Sequence, residues 1–218
     1  MHANPKDIMQ RTNRRRTLVR AATMAALAVS TALGGCALTG LGGSSPPETY
    51  DLAAPAPKKG GARASVHISV ASPSTIRPLD SDQILVRDPE GRLSYFPSSA
   101  WGDRLPKLVQ TRLIQALTDS GRFRAVGSSQ DRTPSDVTLN IELRSFNVQV
   151  EGAQAQAVID VVVKLVDERS DRVVATKQFT SSAPASKDDA AAGVAALTQA
   201  FGKISDDIVA WSANPRPA

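Results

Sequence analysis

Cys36 is the residue whose chemistry this sequence specifies best, because it is the sole cysteine of the chain and follows a distinctive run of residues. An aliphatic residue and two glycines precede it, in the order Leu33, Gly34, Gly35. This tetrapeptide resembles a lipobox, in which the cysteine thiol is alkylated by a diacylglyceryl group and the peptide bond before it is then cut. Small neighbours leave that bond accessible to a peptidase. The sequence therefore predicts cleavage after Gly35 and covalent lipid on Cys36.

The segment before Cys36 has the order of a secretory signal peptide. Basic residues cluster within residues 11–20, and an apolar run follows over residues 21–33. That run is shorter than the ~20 residues needed to span a bilayer, so residues 1–35 are predicted to be a cleaved signal rather than a transmembrane helix. Arg15–Arg20 also resembles a twin-arginine motif. The export route is therefore left open between Sec and Tat.

The residue after the cysteine, Ala37, bears on the destination of the protein. In lipoproteins of bacteria with two membranes, Asp at this position favours retention in the inner membrane. Ala37 therefore predicts the outer membrane, with the chain on its periplasmic face. Two or more acyl chains give stable anchoring, where one chain is marginal. Diacylglycerol and acyl groups such as palmitate on Cys36 are the modification we expect, and no cofactor is predicted.

Charge and histidine content argue against several other classes of function. Residues 1–35 hold six of the 26 basic residues and one of the 21 acidic residues, so 20 of each remain from Cys36 onward. A formally neutral mature chain gives no support to nucleic-acid binding. His67 is the one histidine outside the leader, and the sequence contains no GxSxG, HExxH, CxxC or Walker motif. We therefore predict neither an enzyme nor a metal site.

Residues 36–64 predict a lipid-anchored tether, because Gly, Pro, Ala and Ser dominate this stretch. Its prolines oppose helix formation and strand pairing. Tyr50–Leu52 interrupts the pattern, and this island is either a short edge strand or a local apolar contact. Residues 65–213 are predicted to form a single folded domain.

Alternating apolar and polar residues predict strands at the start of this domain. Val66–Val70 is the first such segment. Gln83–Arg87 and Leu93–Phe96 then flank residues 88–91, with the sequence Asp-Pro-Glu-Gly. Pro at the second and Gly at the fourth position suit a type I turn, so the two segments are predicted to form a β-hairpin.

Three longer segments predict an antiparallel meander. They are Val137–Val150, Val158–Val166 and Val173–Ser181, and short turn sequences separate them. In the first segment the apolar residues change from odd to even positions near Arg144 and Ser145. One extra residue would produce this change, so a β-bulge is predicted there.

Two segments predict amphipathic helices, Asp103–Ser120 and Asp188–Ser212, because their apolar residues recur every three or four positions. Asp103 suits an N-cap and Gly121 suits the C-terminal stop of the first helix. The predicted fold class is therefore α+β, with a mostly antiparallel sheet, formed by the meander and the hairpin, packed against the two helices.

Four apolar residues are candidates for contact with a partner, and three of them have an alternative role inside the domain. Ile76 and Leu79 lie in a polar loop and either cap the core or contact a partner. Trp101 either anchors the hairpin to the first helix or faces a partner. Ile114 lies nearly opposite the apolar stripe of that helix, so it is predicted to be exposed.

The order of these elements resembles the ABC-type transport auxiliary lipoprotein family, which includes proteins of the paraquat-inducible protein C type. The resemblance covers residues 33–212 and rests on fold-forming residues in a shared order. They are the lipobox, Tyr50-Asp51-Leu52, Val66–Val70, Ile84–Arg87, Tyr95, Trp101, Leu113, Leu117, Ser120–Phe123, the meander and the final helix.

The resemblance implies a role as a non-enzymatic auxiliary protein. Members accompany ABC transporters that carry mammalian-cell-entry (MCE) domain proteins and move lipids between the inner and outer membranes. This chain would be the outer-membrane component that docks the periplasmic MCE assembly. A symmetric homo-oligomer would match a symmetric MCE ring. The transported lipid, the direction of transport and the contact residues do not follow from the resemblance.

Two other classes of function stay open at this point. A carrier of lipid or another hydrophobic ligand would need an apolar cavity between the sheet and the helices. An envelope structural protein would instead bind peptidoglycan or a secretion channel.

Overall fold

Nine strands form one mixed sheet in the computed structural model, which describes residues 46–53, 60, 63–152 and 154–214. The described residues fall within a compact unit that begins at Pro46. The strands are β1 (Glu48–Tyr50), β2 (Ala64–Val70), β3 (Ser74–Thr75), β4 (Gln83–Arg87), β5 (Leu93–Trp101), β6 (Phe123–Ser128), β7 (Val137–Glu151), β8 (Gln154–Asp167) and β9 (Arg172–Ala185). The helices are α1 (Leu105–Ser120) and α2 (Ala190–Ser212).

The long strand β7 is the centre of the sheet. One of its edges pairs antiparallel with β8, which pairs antiparallel with β9, so the predicted meander is confirmed. Its other edge pairs in parallel with three shorter strands, β2, β3 and β4. The sheet is therefore mixed rather than mostly antiparallel, which corrects the prediction, while the α+β class is confirmed.

The prediction was wrong on this point because an alternating pattern of apolar and polar residues identifies a strand but does not show which other strand it pairs with. The parallel pairs join segments far apart in the chain, such as Ile68 with Val137 and Val86 with Val148. A long connection is what a parallel pair needs, and here α1 and the loops supply it. The predicted meander and hairpin were local pairings, which sequence spacing reveals directly.

The hairpin and the bulge have the predicted geometry. Gly91 N–H donates to the Asp88 carbonyl oxygen at 3.0 Å, and Gly91 has a φ of 82° that favours glycine. The β7–β8 pairing shifts register between Leu143 and Ser145, where the predicted bulge falls. The second hairpin strand is longer than predicted, because β5 continues to Trp101.

Both predicted helices form, each beginning about two residues later than expected. Helix α1 has Arg104 at its N-cap without a side-chain cap, and Pro106 occupies its first turn, where a missing N–H costs nothing. It ends at Gly121, whose φ of 63° is left-handed. Helix α2 is capped by Asp189, whose Oδ1 accepts from Ala192 N–H at 2.8 Å.

The core lies between the helices and one face of the sheet. A chain of aromatic contacts crosses it, with ring centroids 6.2 Å apart from Trp101 to Phe146 and again from Phe146 to Phe201. Helix α2 approaches β7 closely at Gly193, where an added Cβ would lie 2.9 Å from Val148 Cγ2. Glycine is therefore the residue that this helix–sheet contact requires.

Candidate interaction surfaces

The predicted lipidation motif, Leu33-Gly34-Gly35-Cys36, lies outside the described residues. The cleavage site and the acylated thiol therefore stay predictions. The first described residue, Pro46, follows the predicted anchor by ten positions.

The four candidate partner contacts have different positions in the structure. Ile76 is 53% exposed, whereas Leu79 is 2% exposed and Trp101 is 3% exposed. Leu79 closes a 3-10 turn over the core, and the Trp101 ring packs edge-on against Phe146. Ile114 is half-buried against the core rather than exposed. The internal roles therefore fit Leu79 and Trp101, whereas Ile114 packs against the core although it was predicted to be exposed. Of the four candidates, only Ile76 offers an open apolar surface.

Two further large apolar residues are exposed on β5, and one of them contacts the turn that follows Ile76. Leu93 is 43% exposed and Tyr95 is 36% exposed, and both project from the same face of β5. The Tyr95 hydroxyl donates a long hydrogen bond of 3.4 Å to the Pro78 carbonyl oxygen, which joins this strand to the turn after Ile76. We call Ile76, Leu93 and Tyr95 the hairpin patch.

The backbone beneath the hairpin patch is held on both sides. Thr75 Oγ1 donates to the Leu143 carbonyl oxygen at 2.9 Å, which ties the start of the loop to β7. Arg104 reaches Asp80 with an ion pair of 2.7 Å and donates to its carbonyl oxygen at 2.8 Å. The patch is therefore presented by a fixed loop and a paired strand rather than by a free segment.

Sequence reasoning missed Leu93 and Tyr95 as surface residues. Their alternation with Ser94 and Phe96 predicted a strand but gave no way to tell which side faces the core. The structure decides this, because Phe96 lies against the α2 backbone at Gly193. Leu93 and Tyr95 must then face outward.

A second exposed apolar spot lies at the start of β9, where Val173 and Val174 are both exposed. Strand β9 pairs with β8 and with no other strand among the described residues, so it forms an edge of the sheet. This spot lies on a different part of the sheet from the hairpin patch, and it lacks an aromatic residue.

Residues 46–53 form a docked segment that we call the strap. Within it, Glu48–Tyr50 is β1, close to the island predicted at Tyr50–Leu52. Gly102 N–H donates to the Tyr50 carbonyl oxygen at 2.8 Å, and Leu52 is fully buried in the core. Packed structure is therefore present inside the segment predicted as a tether.

An ion pair fastens the strap to helix α1. Arg112 Nη2 donates to Asp51 Oδ2, and the Arg112 side chain is mostly covered. This hydrogen bond holds the pKa of Asp51 below its usual value and raises the pKa of Arg112. Both shifts favour the charged forms, so the pair is maintained at neutral pH.

A second carboxylate, that of Asp136, holds another part of the sheet. Asp136 Oδ2 accepts from the His67 backbone N–H at 2.8 Å, which lowers the pKa of Asp136, and it also accepts from Arg124 at 3.0 Å. The role of this carboxylate is to join β2 to the start of β7. No group of three or more His, Cys, Asp or Glu in the described part of the chain is placed to hold a metal ion.

An open cleft of about 270 Å³ lies beside the 88–91 turn. Its lining includes Arg87, Asp88, Gln149 and Glu151, which are charged or amide side chains. A lipid tail needs an apolar interior, so this cleft does not have the character of a lipid-carrying cavity. Among the helices that the structure describes, none is long and apolar enough to cross a membrane.

Several solved structures are similar to this fold, a mixed sheet with two helices. A Xanthomonas campestris protein of the DUF330 family is 30% identical, with a TM-score of 0.66 over 76% of this chain and 91% of its own. An uncharacterized protein has a TM-score of 0.61 at 17% identity, covering 76% of this chain and 97% of its own. The hypothetical protein CT253 of Chlamydia trachomatis has a TM-score of 0.50 at 9% identity, covering 69% and 96%. The last two show the fold alone.

The chain belongs to the ABC-type transport auxiliary lipoprotein component family, which matches residues 50–209. This confirms the resemblance and places the protein among membrane-anchored lipoproteins of the cell envelope. An uncharacterized protein of Bradyrhizobium diazoefficiens is 29% identical over 176 residues, which are 80% of this chain and 47% of that protein. The chain therefore spans about half the length of this curated relative. The family match begins at Tyr50, within the strap.

Proposed function

We propose that the protein is the non-enzymatic adaptor of an ABC transporter that moves phospholipids between the two membranes. Acylation of Cys36 anchors it to the outer membrane, and the folded domain docks a periplasmic MCE-domain subunit of the transporter. Family membership supports the transport role. The absence of Asp after Cys36 supports the outer-membrane location.

The observation that carries the docking role is the hairpin patch. Exposed single apolar residues are common, but neighbouring ones on a fixed surface mark interaction sites. The patch combines an aliphatic residue on a loop, Ile76, with Leu93 and Tyr95 on a strand. Tyr has a large contact area and little side-chain entropy to lose, so it is frequent among the residues that dominate interface energies.

Loss of the patch should weaken docking strongly. Burying one large apolar side chain contributes roughly 1.5–3 kcal/mol, and 1.4 kcal/mol corresponds to about tenfold in affinity. Replacement of Ile76 and Tyr95 by Asp removes two such contributions and places charges in the interface. We expect at least a tenfold loss of captured partner, with the domain still folded because both positions are exposed.

The test is a cross-linked pull-down of the full-length lipoprotein from detergent-solubilised envelopes, with mass spectrometry of the captured proteins and lipids. The Ile76→Asp/Tyr95→Asp variant is compared with the wild type and with a matched Val173→Asp/Val174→Asp variant. We expect an MCE-domain protein as the main partner of the wild type and of the valine variant, and its loss from the patch variant.

Each other result has a distinct meaning. Retention of the MCE-domain protein by the patch variant would refute the hairpin patch as the docking surface. Capture of lipid without any such partner would favour a lipid carrier. Capture of cell-wall fragments instead would favour an envelope structural protein, and either result would refute the adaptor role.

A further inference from the structure

Strand β9 has the longest free edge in the described part of the sheet. Four strands pair on one side only among the described residues, and three of them, β1, β3 and β6, have three, two and six residues. Strand β9 has 14 residues, which gives a length of about 45 Å. Alternate residues of an antiparallel strand direct their N–H and C=O groups away from the paired neighbour. About half of the residues in β9 therefore present unpaired backbone groups at this edge.

Native proteins usually protect such an edge by short length, proline, charge or a bulge. The one proline of β9, Pro184, is its second-last residue. A bulge lies at the other end, where Val174 is an extra residue in the pairing with β8, and both Val173 and Val174 are exposed there. The pairing with β8 is regular from Ala175 onward. Most of the edge is therefore open, and one end of it carries exposed apolar side chains.

The two faces of β9 differ in what they present to an added strand. Phe179 packs edge-on against Trp211 of α2, with ring centroids 5.7 Å apart, so the odd-numbered residues after the bulge face this helix. The even-numbered residues lie on the opposite face. They are exposed and uncharged, and the first four are Thr176, Gln178, Thr180 and Ser182. An added strand would therefore extend an uncharged row on one face and border α2 on the other.

Lysine side chains flank the middle of this edge on both faces. Lys177 lies on the α2 face, with its Nζ 4.9 Å from the centroid of the Phe179 ring. Lys164 of β8 is opposite Thr176 in the register and lies on the other face. Both lysines are exposed, and neither forms an ion pair with a carboxylate of the described residues. The edge therefore offers two cations to a partner.

These charges distinguish between two kinds of added strand. Strand β9 contains two basic residues, Arg172 and Lys177, and no acidic residue. Pairing with β9 of a second copy would bring four basic side chains together without a carboxylate on either strand, and like charges across a strand pair are destabilising. An acidic strand would instead place carboxylates beside Lys164 and Lys177, where opposite charges are stabilising.

We propose that the free edge of β9 is a strand-addition site for an extended acidic segment of another protein. Backbone pairing along the edge supplies affinity, and the lysines on its two faces select an acidic partner. This site is separate from the hairpin patch. The inference therefore goes beyond the proposed function and does not depend on the transporter subunit.

The test uses the full-length lipoprotein in detergent micelles and a fluorescent peptide of alternating Glu and Val residues. Fluorescence anisotropy measures binding of this peptide and of a matched peptide with Lys in place of Glu. Hydrogen exchange with mass spectrometry shows whether the amides of β9 become protected when the peptide binds. A peptide N-methylated at consecutive residues has the same charge but cannot donate backbone hydrogen bonds from either edge.

We expect the acidic peptide to bind at least about tenfold more tightly than the basic one, and to slow exchange within residues 172–183. The N-methylated peptide should not bind. Lys164→Gln/Lys177→Gln should weaken binding of the acidic peptide about threefold or more, because it removes the facing charges. The matched control, Lys107→Gln/Lys203→Gln, makes the same change in charge on the two helices and should bind like the wild type.

A different set of results would overturn the proposal. Absence of binding, equal affinity for the acidic and basic peptides, or binding without protection of β9 would each do so. A dimer in sedimentation experiments, with β9 already protected before peptide is added, would show that a second copy occupies the edge instead. None of these results bears on capture of the MCE-domain protein, so the proposed function is tested separately.

Discussion

Replacement of Leu52 by Ala tests directly whether the strap belongs to the folded domain. Leu52 is fully buried and contacts the main core, although it lies in a segment whose composition is that of a tether. Leu→Ala substitutions at buried sites cost about 2–5 kcal/mol, through lost transfer free energy and the cavity left behind. Because the strap lies at an edge and can relax, we expect about 2–3 kcal/mol here.

The assay is equilibrium denaturation of the non-acylated mature chain, made with Cys36→Ser so that it is free of lipid. For a domain of this size, a loss of about 2–3 kcal/mol corresponds to a fall in Tm of roughly 4–12 °C. Ile76→Ala is the matched control, because Ile76 is exposed and should change stability by less than about 0.5 kcal/mol. An unfolding midpoint of Leu52→Ala equal to that of the control would refute the packing of the strap.

Three further predictions concern other parts of the chain. Gly193→Ala should lower the free energy of unfolding by about 1–3 kcal/mol despite the better helix propensity of Ala, because its Cβ would lie 2.9 Å from Val148 Cγ2; unchanged thermal stability would contradict the close approach. Cys36→Ser should move the full-length protein from the membrane to the soluble fraction, and a membrane-bound variant would show that the lipobox assignment is wrong. Arg112→Ala should destabilise the domain at pH 7 and progressively less as the pH falls below about 4, the usual pKa of Asp, because the folded-state pKa of Asp51 is lower still and the stabilising effect is lost between the two values; a cost independent of pH would mean that the ion pair contributes nothing.

Local patterns predicted most of the secondary structure, and the elements that succeeded show why. The turn at residues 88–91 and the end of helix α1 at Gly121 were predictable because the residue types at these positions have strong backbone preferences of their own. These preferences do not depend on contacts with distant parts of the chain. The bulge near Ser145 was visible as a change in the phase of alternation within a single strand. Each of these features depends on neighbours along the chain.

The candidate surface was predicted less well, because exposure depends on what packs from elsewhere. Leu79 and Ile76 lie in one loop with similar surroundings in sequence, yet one is buried and the other is open. Trp101 joined the core through Phe146, which is remote in the chain. Leu93 and Tyr95 lie at the surface because Phe96, which alternates with them, is the residue that packs against helix α2 at Gly193.

The sequence by itself determined the periodicity of the strands and helices, the tetrapeptide that ends in Cys36 and the family to which the chain belongs, since all of these depend on the type and order of neighbouring residues. Only the tertiary structure decided that β7 has parallel neighbours on one edge, that the hairpin patch faces outward and that Tyr50-Asp51-Leu52 is part of the domain. The physical reason is the same in each case. Burial and strand pairing depend on contacts between segments that are distant in the sequence. A local alternation of residue types does not show which segments make those contacts.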